Sequence, residues 1–267
     1  MHPVLTVLDW YGVSRPIGSY GAMLVLALGC GAAVTLRATQ RARLDVGAMI
    51  SALAGAVGVG FVTAFLTTLL VSSLEHDSFQ AGLAQPGITF YGGAIGGALG
   101  LAGFARVFGL DPMTALDTAL PGLPLAHAIG RVGCFLGGCC YGAPSSRAWA
   151  VIYTDVLAPG AHPMLPRHPW PLYEAGCLLL LAALFVSGRR FASFPGRRAG
   201  TYVALYALVR LLLEPLRGDA LRGLLLHGTC SVSQVIAAAT GAAALGFLWH
   251  AKRAASRSPL CARAPQV

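Results

Sequence analysis

The chain has 267 residues, of which 56% are hydrophobic and only 11% charged, against roughly 25% charged in an ordinary soluble domain. Its mean hydropathy is +0.68, so there is too little charge to cover a water-facing surface. This composition largely rules out a soluble globular enzyme, a disordered protein and a nucleic-acid binder, despite the net charge of +9. Eighteen of the nineteen basic residues are arginines, and they cluster between apolar runs as they do in membrane loops.

Seven apolar segments have about the 20 residues that a helix needs to cross a hydrocarbon core. They are residues 18–36, 47–72, 88–106, 113–130, 171–188, 199–216 and 229–250. The fourth is the weakest, because Asp117, Pro121, Pro124 and His127 interrupt it, and we expect a broken or tilted helix there. The sequence thus predicts an all-α polytopic membrane protein without a removable signal peptide.

The distribution of arginine and lysine predicts the orientation of the spans. With the N-terminus outside, twelve of the nineteen basic residues fall on the cytoplasmic side, as expected for loops retained there. We therefore expect a single transmembrane domain over residues 1–267, with an outer loop 131–170 contributing to the site and a cytoplasmic tail 251–267.

Several ionisable residues lie inside apolar segments, where an ionised side chain costs several kcal/mol and is normally paired or functional. Arg131 ends the fourth segment. Arg210, Glu214 and Arg217 follow the spacing i, i+4, i+7, which predicts one shared helix face. One interpretation is an internal salt bridge between helices; the other is an anion site, since the guanidinium group matches phosphate oxygens.

The stretch GRVGCFLGGCCYG, residues 130–142, is rich in glycine, which favours a sharply turning backbone. Its thiols, Cys134, Cys139 and Cys140, have three interpretations: structural thiols, a metal site with His127 or His168, or an oxidised pair joining Cys134 to Cys139 or Cys140. The spacing differs from that of zinc sites, so we expect no metal or other cofactor. The oxidised pair is favoured over metal because the segment is expected to face an oxidising compartment.

Two further patterns place polar residues at span ends. In RHPWPLYEA, residues 167–175, Glu174 lies in an apolar run, and we expect a salt bridge to one of the embedded arginines. Tyr20 and Tyr91 each precede glycine near the start of a span, where tyrosine is most often an interfacial anchor.

In this order the segments resemble the prolipoprotein diacylglyceryl transferase family over nearly the whole chain. The resemblance is carried by SYGAML, ITFYGGAIGG, GRVGCFLGGCCYG, RHPWPLYE, YALVRLLLEPLRGD and SVSQVIA. It implies seven spans and transfer of the diacylglyceryl group of phosphatidylglycerol to a lipobox cysteine thiol, releasing glycerol phosphate. The implied setting is the outer leaflet of a bacterial inner membrane, with membrane lipids and a prolipoprotein signal peptide as partners and no nucleic acid.

The resemblance also implies roles for individual residues. Tyr91, Arg131 and Arg210 would be catalytic, and Arg131 and Arg210 would also hold the lipid phosphate. The other implied substrate-binding residues are Tyr20, Glu174, Glu214, Arg217, Cys134 and Cys139. The sequence departs from the common pattern where Tyr91 replaces histidine, and where Cys134 and Cys139 replace asparagine and an acidic residue. Because histidine could accept the proton of the acceptor thiol, these changes leave open which group accepts it.

Three other functions remain open at this point. The first is a related lipid-handling transferase with a different acceptor, since the departures lie where the nucleophile would be activated. The second is an anion transporter, against which the chain shows no inverted pair of interrupted spans. The third is thiol redox chemistry, which the absence of a C-x-x-C motif disfavours.

Overall fold

In the computed structural model, the described residues are 4–10, 13–75, 79–84, 90–153, 165–187, 194–218, 224–225 and 230–257. Helices dominate these residues, and three short antiparallel strand pairs accompany the helical architecture that the sequence predicts. The chain forms two compact units, one of residues 34–119 and one of residues 1–33 with 120–267.

The unit of residues 34–119 contains the end of helix α1 (Ser19–Arg41) and four further helices. These are α2 (Val46–Glu75), α3 (Phe79–Ala84), α4 (Phe90–Val107) and α5 (Pro112–Ala119). Met49 and Ala52 of α2, Leu101 and Ala105 of α4, and Ala115 of α5 form its buried core. Small side chains in this core let the helices approach closely.

Glycines of α4 set its distance from α2. A Cβ added at Gly96 would collide with the side chain of Thr63. The Thr63 hydroxyl in turn donates a hydrogen bond to the carbonyl oxygen of Gly92 at 2.9 Å. This arrangement is the one expected in lipid, where small residues allow backbone approach and hydroxyl groups hydrogen-bond between helices.

Replacing Gly96 with alanine is expected to destabilise the packing of α2 against α4 by about 1–3 kcal/mol, the usual cost of overpacking. Gly103→Ala on the same helix is the matched control, because a Cβ there meets no atom within 4 Å. Alanine raises helix propensity equally at both positions. Thermal unfolding in detergent should therefore show a lower midpoint for Gly96→Ala alone, and equal midpoints would contradict the packing argument.

The other unit begins with a hairpin of strands β1 (Val4–Trp10) and β2 (Val13–Gly18), which leads into α1. Its later helices are α6 (Leu123–Leu136), α7 (Trp170–Ser187), α8 (Arg197–Leu213) and α9 (Val232–Arg257). Consecutive helices of this series pack together. Two short strand pairs lie in the connections: β3 (Val151–Ile152) with β4 (Pro166–Arg167), and β5 (Leu224–Leu225) with β6 (Cys230–Ser231).

Among the described residues, five helical segments are long and apolar enough to cross a membrane. They are Ser19–Arg41, Val46–Ser73, Trp170–Ser187, Arg197–Leu216 and Val232–Ala255. Helices α5 and α6 together would make a sixth, broken span, as the prolines at 121 and 124 predict. Helix α4 occupies the range expected of the third span, but it is not one of these segments, because its many glycines add little hydropathy. The protein is thus a polytopic helical membrane protein.

Two boundaries differ from those expected. Helix α6 continues through the glycine-rich stretch to Leu136, so that Arg131 is helical and the chain turns only from Gly137 onwards. Helix is tolerated there because Gly133 packs against α1: its added Cβ would lie 2.9 Å from the Cβ of Met23. Helix α9 extends through residues 251–257 of the expected tail, and residues 258–267 lie outside the described chain.

Candidate functional site

A fully buried carboxylate, Glu174 of α7, joins three helices of the second unit. Its Oε2 lies 2.9 Å from Nε of Arg131 on α6 and 3.6 Å from Nη1 of Arg210 on α8. Its Oε1 accepts a hydrogen bond from the Tyr206 hydroxyl at 2.6 Å, and Nε2 of His127 lies 3.8 Å away. The predicted salt bridge of Glu174 is present, and it involves both embedded arginines.

A second buried carboxylate, Glu214, extends this network towards α9. Nη2 of Arg210 donates to Oε2 of Glu214 at 2.9 Å, as the i, i+4 spacing predicts. The hydroxyl of Ser231 donates to Oε1 of the same carboxylate at 2.7 Å. Arg210 is only 3% exposed and contacts two acids, so its charge is compensated where water cannot solvate it.

Arg217 does not share the helix face predicted for it. Helix α8 ends at Leu213, a single 3₁₀ turn covers Glu214–Leu216, and Arg217 is extended at φ −82° and ψ 137°. The cause is Pro215, which cannot continue the i→i−4 hydrogen bonds of the helix. Arg217 instead forms an antiparallel bridge with Gly142.

Three guanidinium groups surround one buried indole ring, that of Trp170. The Cζ atoms of Arg210, Arg217 and Arg131 lie 4.9, 5.1 and 5.5 Å from the ring centroid. Nε1 of Trp170 donates to the carbonyl oxygen of Leu213 at 2.8 Å, which fixes the ring. Together with the two carboxylates, the three arginines carry one positive charge in excess. Such a cluster in a low-dielectric setting is suited to binding an anion.

The loop after α6 holds Arg217 in place through backbone hydrogen bonds. The N–H of Gly142 donates to the carbonyl oxygen of His168 at 3.0 Å, and the N–H of Gly218 donates to that of Tyr141 at 3.1 Å. A Cβ on Gly142 would meet the backbone of both His168 and Leu216, so only glycine fits between the two segments. The glycine-rich stretch therefore makes a close backbone approach, although later along the chain than the sequence suggests.

The three clustered cysteines come together at the C-terminal end of α6, with Cys134 in its last turn and Cys139 and Cys140 just beyond it. All three are free thiols, so the oxidised pair favoured from the sequence is not present. The Sγ atoms of Cys134, Cys139 and Cys140 lie within 4.8 Å of one another. Nη1 of Arg131 lies 4.0 Å from the Sγ of Cys140. The neighbouring thiols of Cys134 and Cys139 lower the pKa of Cys140, and the charge of Arg131 acts in the same direction.

Tyr20 and Tyr91 lie in different units. Tyr20 is the second residue of α1 and is 42% exposed, and a Cβ on Gly133 would lie 3.4 Å from its ring, so it borders α6. Tyr91 is the second residue of α4, in the unit of residues 34–119, with its ring 5.6 Å from that of Phe90. The contacts of the arginine cluster belong to the other unit, so the role of Tyr91 stays a prediction.

Sequence reasoning missed three members of the network: Trp170, Tyr206 and Ser231. Each has a local signal. Tyr206 precedes Arg210 by four residues, which places both on one helix face. Ser231 opens an S-x-x-Q capping box, in which the N–H of Gln234 bonds the Ser231 hydroxyl at 3.1 Å. Trp170 has the weakest signal, because an aromatic residue at a span end is common in membrane proteins.

Replacing Ser231 with alanine is expected to destabilise the protein by about 1–2 kcal/mol, since the α9 cap and one hydrogen bond to a buried carboxylate are both lost. The control Ser233→Ala, two residues along α9, leaves that cap and the Glu214 contact intact. Thermal unfolding in detergent measures both variants. A midpoint for Ser231→Ala no lower than that of the control would show that Glu214 does not depend on this hydroxyl.

The fold and the arginine cluster define a class: a polytopic helical membrane protein with a buried network of arginines and carboxylates. A family model described as prolipoprotein diacylglyceryl transferase matches residues 10–250. The chain belongs to the prolipoprotein diacylglyceryl transferase family, a family of transferase enzymes.

Curated relatives agree with this assignment. The phosphatidylglycerol–prolipoprotein diacylglyceryl transferase of Clostridium tetani is 33% identical over 224 residues, covering 82% of this chain and 86% of the relative. A second such enzyme, from Clostridium perfringens, is 31% identical over 229 residues, covering 82% and 85%. That of Brucella ovis is 36% identical over 177 residues, covering 64% and 61%.

Proposed function

We propose that this protein transfers the diacylglyceryl group of phosphatidylglycerol to the thiol of a lipobox cysteine in a prolipoprotein, releasing glycerol phosphate. The names of the relatives support the donor and the acceptor protein. The single observation that carries the proposal is the set of three arginines around Trp170, with one positive charge in excess. This excess suits a lipid phosphate, and Arg131 and Arg210 are the proposed phosphate ligands.

Chemically, the transfer is a displacement at an sp3 carbon. The acceptor sulfur attacks the glyceryl carbon as a thiolate, and the bond from that carbon to the phosphodiester oxygen breaks. Negative charge concentrates on the departing phosphate as the bond lengthens. Arginines already fixed by buried carboxylates stabilise that charge without reorganising, which is the most effective form of electrostatic catalysis. Glu174, Glu214 and Arg217 thus hold the phosphate ligands in position.

Tyr20, Cys134 and Cys139 complete the proposed substrate site, because they border the same end of α6 as Arg131. Their position supports contacts with the headgroup or the incoming thiol. Tyr91 is proposed as the proton acceptor only because it occupies the position at which the common family pattern has histidine.

Replacing Tyr91 with phenylalanine is expected to lower the transfer rate by about 10²-fold or more, the usual contribution of a general base. Phe90→Leu, at the preceding position, is the control for local packing changes. The rate of glycerol phosphate release measures both variants. A Tyr91→Phe enzyme with the full rate would show that the thiol loses its proton elsewhere.

We propose that the whole chain, residues 1–267, acts as one transmembrane domain of seven spans in the bacterial inner membrane. Its N-terminus would be outside and its tail, residues 251–267, cytoplasmic. The count of seven takes α4 and the α5–α6 pair as spans beside the five long apolar helices. In this topology the loop 131–170, and with it the arginine site, faces the outer leaflet.

The test is a transfer assay with purified protein in vesicles of phosphatidylglycerol. A synthetic peptide with a lipobox cysteine serves as acceptor, and the same peptide with serine serves as control. Release of glycerol phosphate with the cysteine peptide, together with a diacylglyceryl thioether on it, supports the proposal. Reaction only with another thiol or hydroxyl acceptor would replace it with a different transferase activity.

A further inference from the structure

The thiols of Cys134, Cys139 and Cys140 are brought together by an unusual backbone path. Gly138 has a φ of 71° and Cys140, a non-glycine residue, has a φ of 56°. Left-handed backbone on either side of Cys139 turns the chain back over the end of α6. The N–H and thiol of Cys139 both donate to the carbonyl oxygen of Cys134, at 3.1 and 3.5 Å. Strained residues of this kind persist where a site requires them.

The resulting sulfur triangle has the dimensions of a metal site. With zinc–sulfur bonds of about 2.3 Å, three thiolates around one ion lie about 4 Å apart. The three Sγ atoms lie within 4.8 Å of one another, so small side-chain rotations are sufficient to bring them to this spacing. Among the described residues, Cys134 is buried, whereas Cys139 and Cys140 are half-buried.

Two neighbouring groups fit an occupied site. Three thiolates and one divalent cation carry a net charge of −1, and the guanidinium of Arg131, which also pairs with Glu174, lies 4.0 Å from the Sγ of Cys140. Tyr153 is buried, and its hydroxyl makes no hydrogen bond to any residue that the structure describes. The Tyr153 ring packs against the rings of Phe135 and Tyr141, which flank the cysteine cluster, with centroid distances of 6.2 and 6.0 Å. An O–H donor there suits a metal-bound thiolate.

We propose that Cys134, Cys139 and Cys140 form a three-thiolate site for one thiophilic divalent cation of the zinc type, whose fourth position binds the acceptor cysteine thiol. This inference rests on the proposed function for the identity of the acceptor. Three protein ligands and one open position are the arrangement of catalytic zinc sites. A coordinated thiol is deprotonated outright, so in this inference the cation site replaces Tyr91 as the means of removing the thiol proton.

The step balances without a further reactant. The acceptor thiol gives its proton to water as its sulfur binds the cation. The sulfur lone pair then forms a bond to the glyceryl carbon, and the electrons of the broken carbon–oxygen bond leave with the phosphate. The product sulfur is a thioether, a weaker ligand than a thiolate, so it dissociates and the site is restored.

Metal binding is tested on the full-length protein in detergent under reducing conditions, with Zn²⁺ and Co²⁺ as probes. We expect about one zinc per chain by elemental analysis, and an intense thiolate-to-cobalt charge-transfer band with Co²⁺. Single Cys134→Ser and Cys139→Ser variants should lose most of the metal. Cys30→Ser, at a free cysteine of α1 outside the triangle, should keep it. A wild-type chain that binds neither ion overturns the proposal without relying on any variant.

Binding of the acceptor is tested on the cobalt-loaded protein. The lipobox cysteine peptide should intensify the charge-transfer band, and the serine peptide should leave it unchanged. Equal spectra with both peptides overturn the assignment of the fourth position. Full transfer by metal-stripped protein leaves the proposed function standing and overturns this inference. Metal and thiol binding without any transfer leaves the cation site standing and overturns the proposed function.

Discussion

Replacing Arg210 with lysine is expected to lower the rate of diacylglyceryl transfer by about 10²–10³-fold, the usual cost of removing one preorganised donor to a developing anion. Arg210 contacts both Glu174 and Glu214 and lies over Trp170 at 4.9 Å. A lysine ammonium cannot contact both carboxylates in a fixed plane and still present a donor to the phosphate. The loss should appear mainly in kcat, because the donor matters most when the phosphate departs.

The same measurement on Arg131→Lys should give a loss of similar size, because Arg131, like Arg210, contacts Glu174 and lies over the Trp170 ring. Arg147→Lys is the matched control, since Arg147 is exposed in the loop after α6 and stacks on Trp149. Glycerol phosphate release from phosphatidylglycerol vesicles measures all three. If Arg210→Lys and Arg147→Lys retain the same rate, the cluster has only a structural role.

Replacing Glu174 with glutamine is expected to destabilise the fold by about 3–5 kcal/mol, since removing one partner leaves buried charge uncompensated. Glu174 is fully buried and is the acid shared by Arg131 and Arg210, so glutamine leaves Glu214 as the remaining carboxylate of the network. We expect a large fall in the thermal unfolding midpoint in detergent, together with loss of transfer.

A double-mutant cycle separates this electrostatic effect from a packing change. Arg131→Gln removes the cation that lies nearest to Glu174, so the Glu174→Gln, Arg131→Gln double variant should lose less stability than the two single changes combined. Tyr206→Phe, which removes only the hydroxyl donor to Glu174, should cost about 1.5–3 kcal/mol. Strict additivity of the two charge changes would show that the ion pair contributes little.

Much of the architecture follows from local sequence, because hydropathy and helix breakers act over a few residues. Apolar length predicts the helices α1, α2, α7, α8 and α9, and the prolines at 121 and 124 predict the break before α6. The sequence predicts an end of this helix at residue 130, whereas α6 ends at Leu136. The sequence shows that Gly133 lacks a side chain, but it does not show that Met23 of α1 packs against it and makes helix favourable there.

The sequence by itself determined that this is a membrane protein and that Arg131, Glu174, Arg210 and Glu214 lie within its apolar segments. A charged side chain in lipid is so costly that the presence of these residues in apolar segments by itself indicates that they are paired or functional. Only the tertiary structure decided that three arginines share the ring of Trp170 and that three thiols meet at the C-terminal end of α6. The arginine contacts join segments that are far apart in the chain, and the thiol contacts depend on the left-handed backbone at Gly138 and Cys140. Neither kind of contact leaves a periodic pattern in the sequence.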